Sequence, residues 1–487
     1  MRINYLAYAF EIILKYFGII LLLPCIFSIY FQQYESTVPF VTTSFLSFFL
    51  SFIAKSLIGK NKIENMNDIK KSEGLFIVTT SWLLIGLISS IPFLFYEMNF
   101  IDAFFEASSG ITTTGASICT NFSYPKAIFF WRSLMQWLGG MGIIILFIAI
   151  LPQFAVAGRQ MFFAESPGPT EDKFTPRIKN ASSALWKIYI ALTLIQTGLL
   201  IIAGMPAFDS LCNSLSTISA GGFSTNPEST MGYHSNYITW IIMFFIFLSG
   251  TNFNLQHKVL VKKDIRILFK SEEFRGYLGI FLGISLLVAC SLFINDNYNI
   301  LDSIKHAMYQ VISLMTSTGS TSSDYNNWNF TTKTLLFIAM FTGGCASSAS
   351  GGIKIARWIL IFKVMKSQVK KILHPNAVIN IKMDEILISR DIISQTVMFI
   401  CFYFAIIALS VILISIQEHN VVIGITSSIS AIGNIGPAFG SIIGPTGSYE
   451  TLSTFSKMIL IFDMYIGRLE LIPFLVMLEP EFWNFRK

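Results

Sequence analysis

The chain alternates long apolar stretches with short polar breaks, and the apolar stretches fall into two length classes. Runs of about 20 residues, enough to cross a bilayer as a helix, begin near Ile12, Val38, Leu75, Ala127, Ala184, Ile238, Leu278, Leu335, Ile392 and Thr454. They predict about ten crossings. Between them lie four apolar segments of only about ten residues, too short to span. Three of these start alike, with Ile101-Asp102-Ala103, Phe208-Asp209-Ser210 and Leu301-Asp302-Ser303. An Asp there suits a helix N-cap and the positive end of the helix dipole. The fourth, Val421 to Ala431, has no Asp and needs another cap.

Each short segment runs into a turn of small residues: Ile111-Thr112-Thr113-Thr114-Gly115-Ala116, Ser219-Ala220-Gly221-Gly222-Phe223-Ser224-Thr225, Ser317-Thr318-Gly319-Ser320-Thr321 and Asn434-Ile435-Gly436-Pro437. They recur at roughly 100-residue intervals, the self-similarity of an internal repeat. Irregular backbone at membrane depth is tolerated only where it is buried in protein or lines a watery cavity. Glycine adopts left-handed dihedrals that let successive carbonyls face one side, and rings of such carbonyls can replace an ion's hydration shell. A short helix dipping to the membrane centre also aims its partially negative C-terminal end there, which favours a cation. Small residues that merely permit close helix packing would explain one such turn. They do not explain four turns behind four similar helices.

The expected fold is an all-α integral membrane protein: a two-helix preface over 1–69, then four pseudo-symmetric membrane–pore–membrane repeats over 70–179, 180–271, 272–387 and 388–487, around one central pore. Composition agrees, with 53% hydrophobic and 13% charged residues and a mean hydropathy of +0.62. The net charge of +6 matters through its placement. Lys55, Lys60, Lys62, Lys70 and Lys71 form one cluster, Lys258, Lys262, Lys263, Arg266, Lys270 and Arg275 a second, and Lys354, Arg357, Lys363, Lys366, Lys370 and Lys371 a third. The positive-inside bias puts these loops, and with them both termini, on the cytoplasmic side, and the Lys- and Arg-free segment Phe223 to Ile238 outside. Clusters that follow apolar spans are explained by topology, so nucleic acid is not an expected partner.

The six cysteines are scattered without a C-x-x-C pair, which indicates neither a disulfide framework nor a zinc site. Glu11 and Lys15 interrupt the first apolar run, which reads as a membrane helix rather than a removed leader. No phosphate loop or dinucleotide fingerprint is present, so no cofactor is expected and regulation must come from elsewhere.

Gly343 to Gly352 contains only Gly, Cys, Ala and Ser, inside the apolar run that begins near Leu335. Each helix-interior Gly costs roughly 1 kcal/mol relative to Ala. Gly343, Gly344, Gly351 and Gly352 around Ser347, Ser348 and Ser350 should therefore break this helix into a loop. Ser348-Ala349-Ser350-Gly351 faintly resembles an intramembrane protease nucleophile, but no histidine lies within a predicted span to act as its base, so an enzyme is not expected. Arg468 lies in the last apolar run, where an unpartnered cation is costly. Asp463 and Glu470 are not at the i+3 or i+4 spacing from it that brings helix side chains together. Arg468 is expected to face the pore below the filter and hydrogen-bond carbonyls or serines of the loop 343–352; a structural ion pair is the alternative.

Together with the turns, Gln136-Trp137-Leu138-Gly139-Gly140-Met141-Gly142, Phe341-Thr342-Gly343-Gly344-Cys345-Ala346, Gly351-Gly352-Ile353-Lys354 and Gly467-Arg468-Leu469-Glu470 resemble the Trk/Ktr/HKT superfamily, specifically the bacterial Trk potassium-uptake membrane subunits. The resemblance covers nearly the whole chain. It implies K+ uptake across a bacterial inner membrane, with Gly115, Gly222, Gly319 and Gly436 as filter glycines. Thr113, Thr114, Ala220, Gly221, Ser317, Thr318, Asn434 and Ile435 would be the further K+ ligands. It also implies that the small-residue loop is a gate, that the lipid-embedded part is a homodimer, and that a cytosolic nucleotide-binding (NAD/ATP) ring protein of the TrkA type docks on the basic loops. Departures, Ser117 where the family more often has Thr and Ser320 where it usually has an aromatic, bear on ion preference. Stoichiometric symport of K+ with H+ or Na+ is the competing mode. It would draw on intramembrane carboxylates, of which Glu106, Asp463 and Glu470 are the few candidates.

Overall fold

The computed structural model describes residues 3–58, 71–142, 175–376, 379–469, 476–477 and 479–483. Helices α1 (Ile3–Ile20) and α2 (Leu23–Tyr30) run on as one apolar span, and α3 (Thr37–Leu57) returns against them. Ser44, Ser47 and Ser51 recur along one face of α3 and donate to the carbonyls of Gly18, Leu14 and Glu11 at 2.7, 2.7 and 2.8 Å. Small hydroxyl residues at a helix interface are what holds helices together where the solvent is itself apolar.

From Lys71 onward one arrangement recurs. In chain order the first unit has α4 (Lys71–Leu94), α5 (Phe100–Ile111) and α6 (Lys126–Gly140). The second has α7 (Thr175–Ile202), α8 (Ala207–Ile218), α9 (Asn236–Ser249) and α10 (Phe253–Lys262), followed by the connector α11 (Arg266–Lys270). The third has α12 (Glu272–Asn295), α13 (Ile300–Met315), α14 (Phe330–Ala339) and α15 (Ile355–Leu373), and the fourth α16 (Arg390–Glu418), α17 (Val421–Ile432) and α18 (Thr454–Arg468). Each unit is thus a long helix, a short helix and a second helix. The one departure from an all-helical chain among the described residues is a small antiparallel ribbon, Lys382–Met383 against Ile386–Leu387. Its turn residues Asp384 and Glu385 both have positive φ, as the tightest hairpins require.

The expected crossings are not all single straight helices. Among the described residues six helices are long and apolar enough to span, or seven if the bent pair α9 and α10 is one span. In all four units the second helix is short or broken: α6 has 15 residues, α14 has 10 and α18 has 15, and α9 turns into α10 through 98°. Glycines explain the breaks. A methyl on Gly139 would overlap Ile111 O, one on Gly250 would lie 2.5 Å from Thr316 Cγ2, and one on Gly467 would overlap Ile432 O. The second helices therefore run into the ends of the short helices and stop or bend there; hydropathy alone counts straight through a bend.

The caps also differ from expectation. Asn99, Pro206 and Asn299 take the N-cap positions, and Asp102, Asp209 and Asp302 sit in the first turn, three residues on. Asn99 Oδ1 accepts from Asp102 N at 2.9 Å while Asn99 Nδ2 donates to Asp102 Oδ2 at 2.6 Å. The helix starts earlier than its apolar run, and the Asp still meets the positive dipole end. On α17 the missing Asp is replaced by Asn420, which caps Val422 N and Ile423 N at 2.9 and 3.2 Å. Of the first basic cluster, Lys60, Lys62 and Lys70 lie outside the described residues.

Candidate functional site

The four turns that end α5, α8, α13 and α17 are built to one plan. Two residues before each glycine, Thr113, Ala220, Ser317 and Asn434 have φ of 57, 56, 58 and 52°, and Gly115, Gly222, Gly319 and Gly436 have φ of 81, 76, 72 and 99°. In all four, the amide just before the glycine bonds back to a serine carbonyl: Thr114 N to Ser109 O, Gly221 N to Ser216 O and Thr318 N to Ser313 O at 2.9 Å, and Ile435 N to Ser430 O at 2.8 Å. A left-handed non-glycine residue costs of order 1 kcal/mol or more and persists only where its surroundings over-determine it. The same strain held at four equivalent buried positions marks a working site.

The turns close on one another in a ring. A methyl on Gly115 would fall against Gly221 O, one on Gly222 against Thr318 O, one on Gly319 against Ile435 O and one on Gly436 against Thr114 O, none farther than 2.6 Å. Each glycine abuts the carbonyl that precedes the next unit's glycine, and the fourth abuts the first. Glycine is required twice over, for its dihedral and for this approach.

Side chains brace the ring from behind. Gln136 of α6 donates to Gly221 O at 2.5 Å and accepts from Phe223 N at 3.0 Å. Asn434 Nδ2 donates to Thr114 Oγ1 at 3.0 Å and to Met464 O at 2.9 Å. Gly436 O accepts from both Ser430 Oγ and Tyr449 OH at 2.7 Å. With both lone pairs occupied, this carbonyl faces the wall, whereas the sequence suggested it as an ion ligand. Above the ring lies a vestibule of about 230 Å³, lined by all four ring glycines and by the residues that follow them. Among the described residues no group of His, Cys, Asp and Glu could hold a metal, so a cation at the ring would meet carbonyl and hydroxyl oxygens.

The expected break between α14 and α15 is present over 340–354. This loop is fastened to the α9–α10 bend by Cys345 N to Gly250 O at 2.8 Å, Ala349 N to Ser249 O at 3.2 Å and Phe253 N to Ser347 O at 3.1 Å. Inside it, Ser350 Oγ accepts from Gly344 N at 3.1 Å and shares a hydrogen bond with Ser348 Oγ at 2.8 Å. Ser347 and Gly352 carry its positive φ angles, 54 and 67°. The loop touches the ring at two points. Gly351 N donates to Ser317 Oγ at 2.6 Å, and a methyl on Gly351 would lie 2.5 Å from Gly433 O. Arg468 reaches the same loop, donating to Ala349 O at 3.0 Å and to Gly139 O and Gly140 O at 2.6 and 2.9 Å. The last two are terminal carbonyls of α6, where a cation complements the helix dipole. The structure thus brings the ring residues, the loop residues and Arg468 into one stack.

The three carboxylates fare differently. Glu106 is fully buried and accepts from Arg132 Nε at 2.7 Å, Ile118 N at 2.8 Å and Ser117 Oγ at 3.1 Å. Asp463, 1% exposed, accepts from Ser410 Oγ at 2.9 Å through Oδ1, while its Oδ2 has no hydrogen-bond partner among the described residues. Glu470 lies outside the described residues. Sequence reasoning missed the serines six residues before each ring glycine, Ser109, Ser216, Ser313 and Ser430, although stacking the four turns exposes them. It also missed the bracing role of Gln136, although that residue opens one of the motifs that carry the resemblance, and it missed Tyr449, which no local signal marks.

Comparison with known proteins shows the family. The family model of TrkH, described as a cation transport protein, matches residues 42–484. The chain is 36% identical to the Trk system potassium uptake protein TrkH of Salmonella typhimurium over 446 residues, covering 90% of this chain and 91% of that one. It is 33% identical to TrkH of Vibrio parahaemolyticus over 487 residues, covering 97% and 98%. The crystal structure of the potassium transporter TrkH from Vibrio parahaemolyticus superposes with a TM-score of 0.88 at 29% identity, covering 99% of this chain and 100% of that one. This chain belongs to the TrkH family, a family of transport proteins rather than enzymes.

Proposed function

We propose that this protein carries K+ into the cytoplasm across a bacterial inner membrane, by channel-like passage through the four-turn ring. The carrying observation is the cyclic approach of each filter glycine to the next unit's carbonyl, which sets four carbonyl-bearing turns around one axis. A K+ ion would exchange water for the carbonyl oxygens of 113–115, 220–222, 317–319 and 434–435. The backs of the turns are held by Gln136, Asn434 and the four serines, so the oxygens are pre-positioned rather than gathered by the ion. The relatives named for potassium uptake support the choice of ion.

The loop 343–352 with Arg468 acts as the gate. It lies against the ring, it is built of residues without bulk, and the guanidinium adds an electrostatic barrier to cations. Opening requires the loop to leave Ser317 and Arg468 to leave Ala349. The four repeats, the cytoplasmic termini, a homodimeric assembly and a TrkA-type nucleotide-binding ring on the basic cytoplasmic loops belong to the same reading.

One observation favours coupled symport as a second reading, the unpartnered Oδ2 of Asp463. Glu106, by contrast, is paired with Arg132. The test is 86Rb+ uptake into liposomes holding the purified chain, driven by an outward K+ gradient. Uptake that follows this gradient and ignores imposed pH and Na+ gradients supports a channel-like pore; uptake that requires either one makes this a symporter.

A further inference from the structure

Just outside the ring, the residues that follow the filter glycines are tied from unit to unit. Units two and three are joined by Met231 N to Thr321 O at 3.2 Å, units three and four by Asn326 Nδ2 to Gly440 O at 3.0 Å, and units four and one by Tyr449 N to Ser117 O at 3.0 Å. These three are bonds between neutral groups, and units four and one are also held by an ion pair between Lys457 Nζ and Asp102 Oδ1 at 2.6 Å. Units one and two are joined by Gln136, which bonds Gly221 O and Phe223 N, and also by Arg132, which reaches across from a buried ion pair within unit one. Arg132 of α6 gives Nε to Glu106, Nη2 to Ser117 Oγ at 2.9 Å and Nη1 to Ser224 O at 3.4 Å, and its Cζ lies 4.2 Å from the centroid of Phe223. Ser117 and Ser224 each stand two residues after a filter glycine.

A buried ion pair adds little net stability, because desolvation of both charges offsets their attraction. Its value here lies in where it stands. Arg132 lines the vestibule, and none of the described residues lining that cavity is Asp or Glu. Divalent cations give up water only to several hard, usually anionic oxygens, whereas neutral carbonyls suffice for K+. Without Glu106, a bare guanidinium would stand beside the ions' path. Without Arg132, a bare carboxylate would.

We propose that Glu106 and Arg132 form a charge-balanced clip that fixes the outer lips of the first two filter turns and keeps the vestibule free of net charge, so that monovalent ions enter and divalent ions find no ligand. The clip rests on the K+-passage reading. Wild-type 86Rb+ uptake is therefore the control: if it is absent that reading fails, and if it is present while the variants match it the clip fails.

The experiment measures 86Rb+ uptake in liposomes against external Ca2+ and Na+. Arg132→Gln should lower the Ca2+ concentration for half-inhibition at least about tenfold, because a carboxylate is exposed to the ion path. Glu106→Gln/Arg132→Gln, with no charge to expose, should keep wild-type Ca2+ tolerance but lose K+ preference over Na+ by about threefold or more, as the lips loosen. Arg132→Lys keeps the charge and loses the fork that bridges two turns, so it should behave like the double variant. A merely structural pair would change the amount of folded protein and leave both ratios alone. Wild-type Ca2+ tolerance in Arg132→Gln, or wild-type K+ preference in both the double variant and Arg132→Lys, overturns the proposal; if Arg132→Gln does not assemble, the other two decide it.

Discussion

Gly351 N donates to Ser317 Oγ across 2.6 Å, joining the loop beneath the ring to the left-handed residue of the third filter turn. The proposed gate and the ring share this hydrogen bond directly. A single hydrogen bond contributes about 1 kcal/mol net, so Ser317→Ala should shift the gate toward opening by about fivefold. The measurement is uptake rate per protein; an unchanged rate would mean that the loop is not held shut at this point.

Arg468 binds three carbonyls from two other units. Hydrogen bonds to a charged group contribute about 1.5 to 3 kcal/mol each. Arg468→Ala should therefore raise flux by about tenfold or more, since the barrier and the fastening go together. Unchanged flux in a protein with a lowered melting temperature would assign Arg468 a structural role instead.

Gly222→Ala and Gly319→Ala each force a methyl into the neighbouring carbonyl of the ring and strain a positive φ besides. Both should cut K+ flux at least about tenfold, an effect beyond the roughly 1 kcal/mol of backbone strain alone. Gly204→Ala is the control: its φ is 94° but no atom lies within 4 Å of the added methyl, so it should lose some stability and keep its flux.

Each turn would offer a short filter with one positive-φ glycine, not a long carbonyl ladder. Rejection of Na+ and Rb+ should accordingly be weaker than in channels with several stacked carbonyl rings. Reversal potentials in mixed ions measure this, and permeability to a large organic cation equal to that for K+ would contradict a carbonyl filter altogether.

Asp463→Asn separates the two transport modes. Channel-like passage predicts 86Rb+ uptake within about twofold of wild type and no new response to pH, because the carboxyl accepts from Ser410 of α16 rather than from a ring residue. Loss of a pH-driven component of uptake would identify Asp463 as a coupling site.

How much of this was legible in the sequence depends on what each feature needs. The turns were readable because a left-handed dihedral selects glycine locally, and four copies removed the ambiguity of one. The loop 343–352 was readable because its glycines and serines cannot sustain a helix. The breaks in α6, α9 and α18 were not, since Gly139, Gly250 and Gly467 stop their helices by meeting Ile111, Thr316 and Ile432, which are distant in sequence. Arg132 and Glu106 were hidden for the same reason. A carboxylate in an apolar run reads as a candidate for coupling until its partner 26 residues away is seen.

The central claim is that ions rest on the axis of the four-turn ring, and anomalous X-ray scattering from crystals grown in Rb+ tests it most directly. The account predicts Rb+ density on that axis, among the carbonyls of Thr114, Thr318 and Ile435 and beneath the vestibule. Well-ordered crystals with Rb+ density elsewhere in the protein and none within the ring would contradict it.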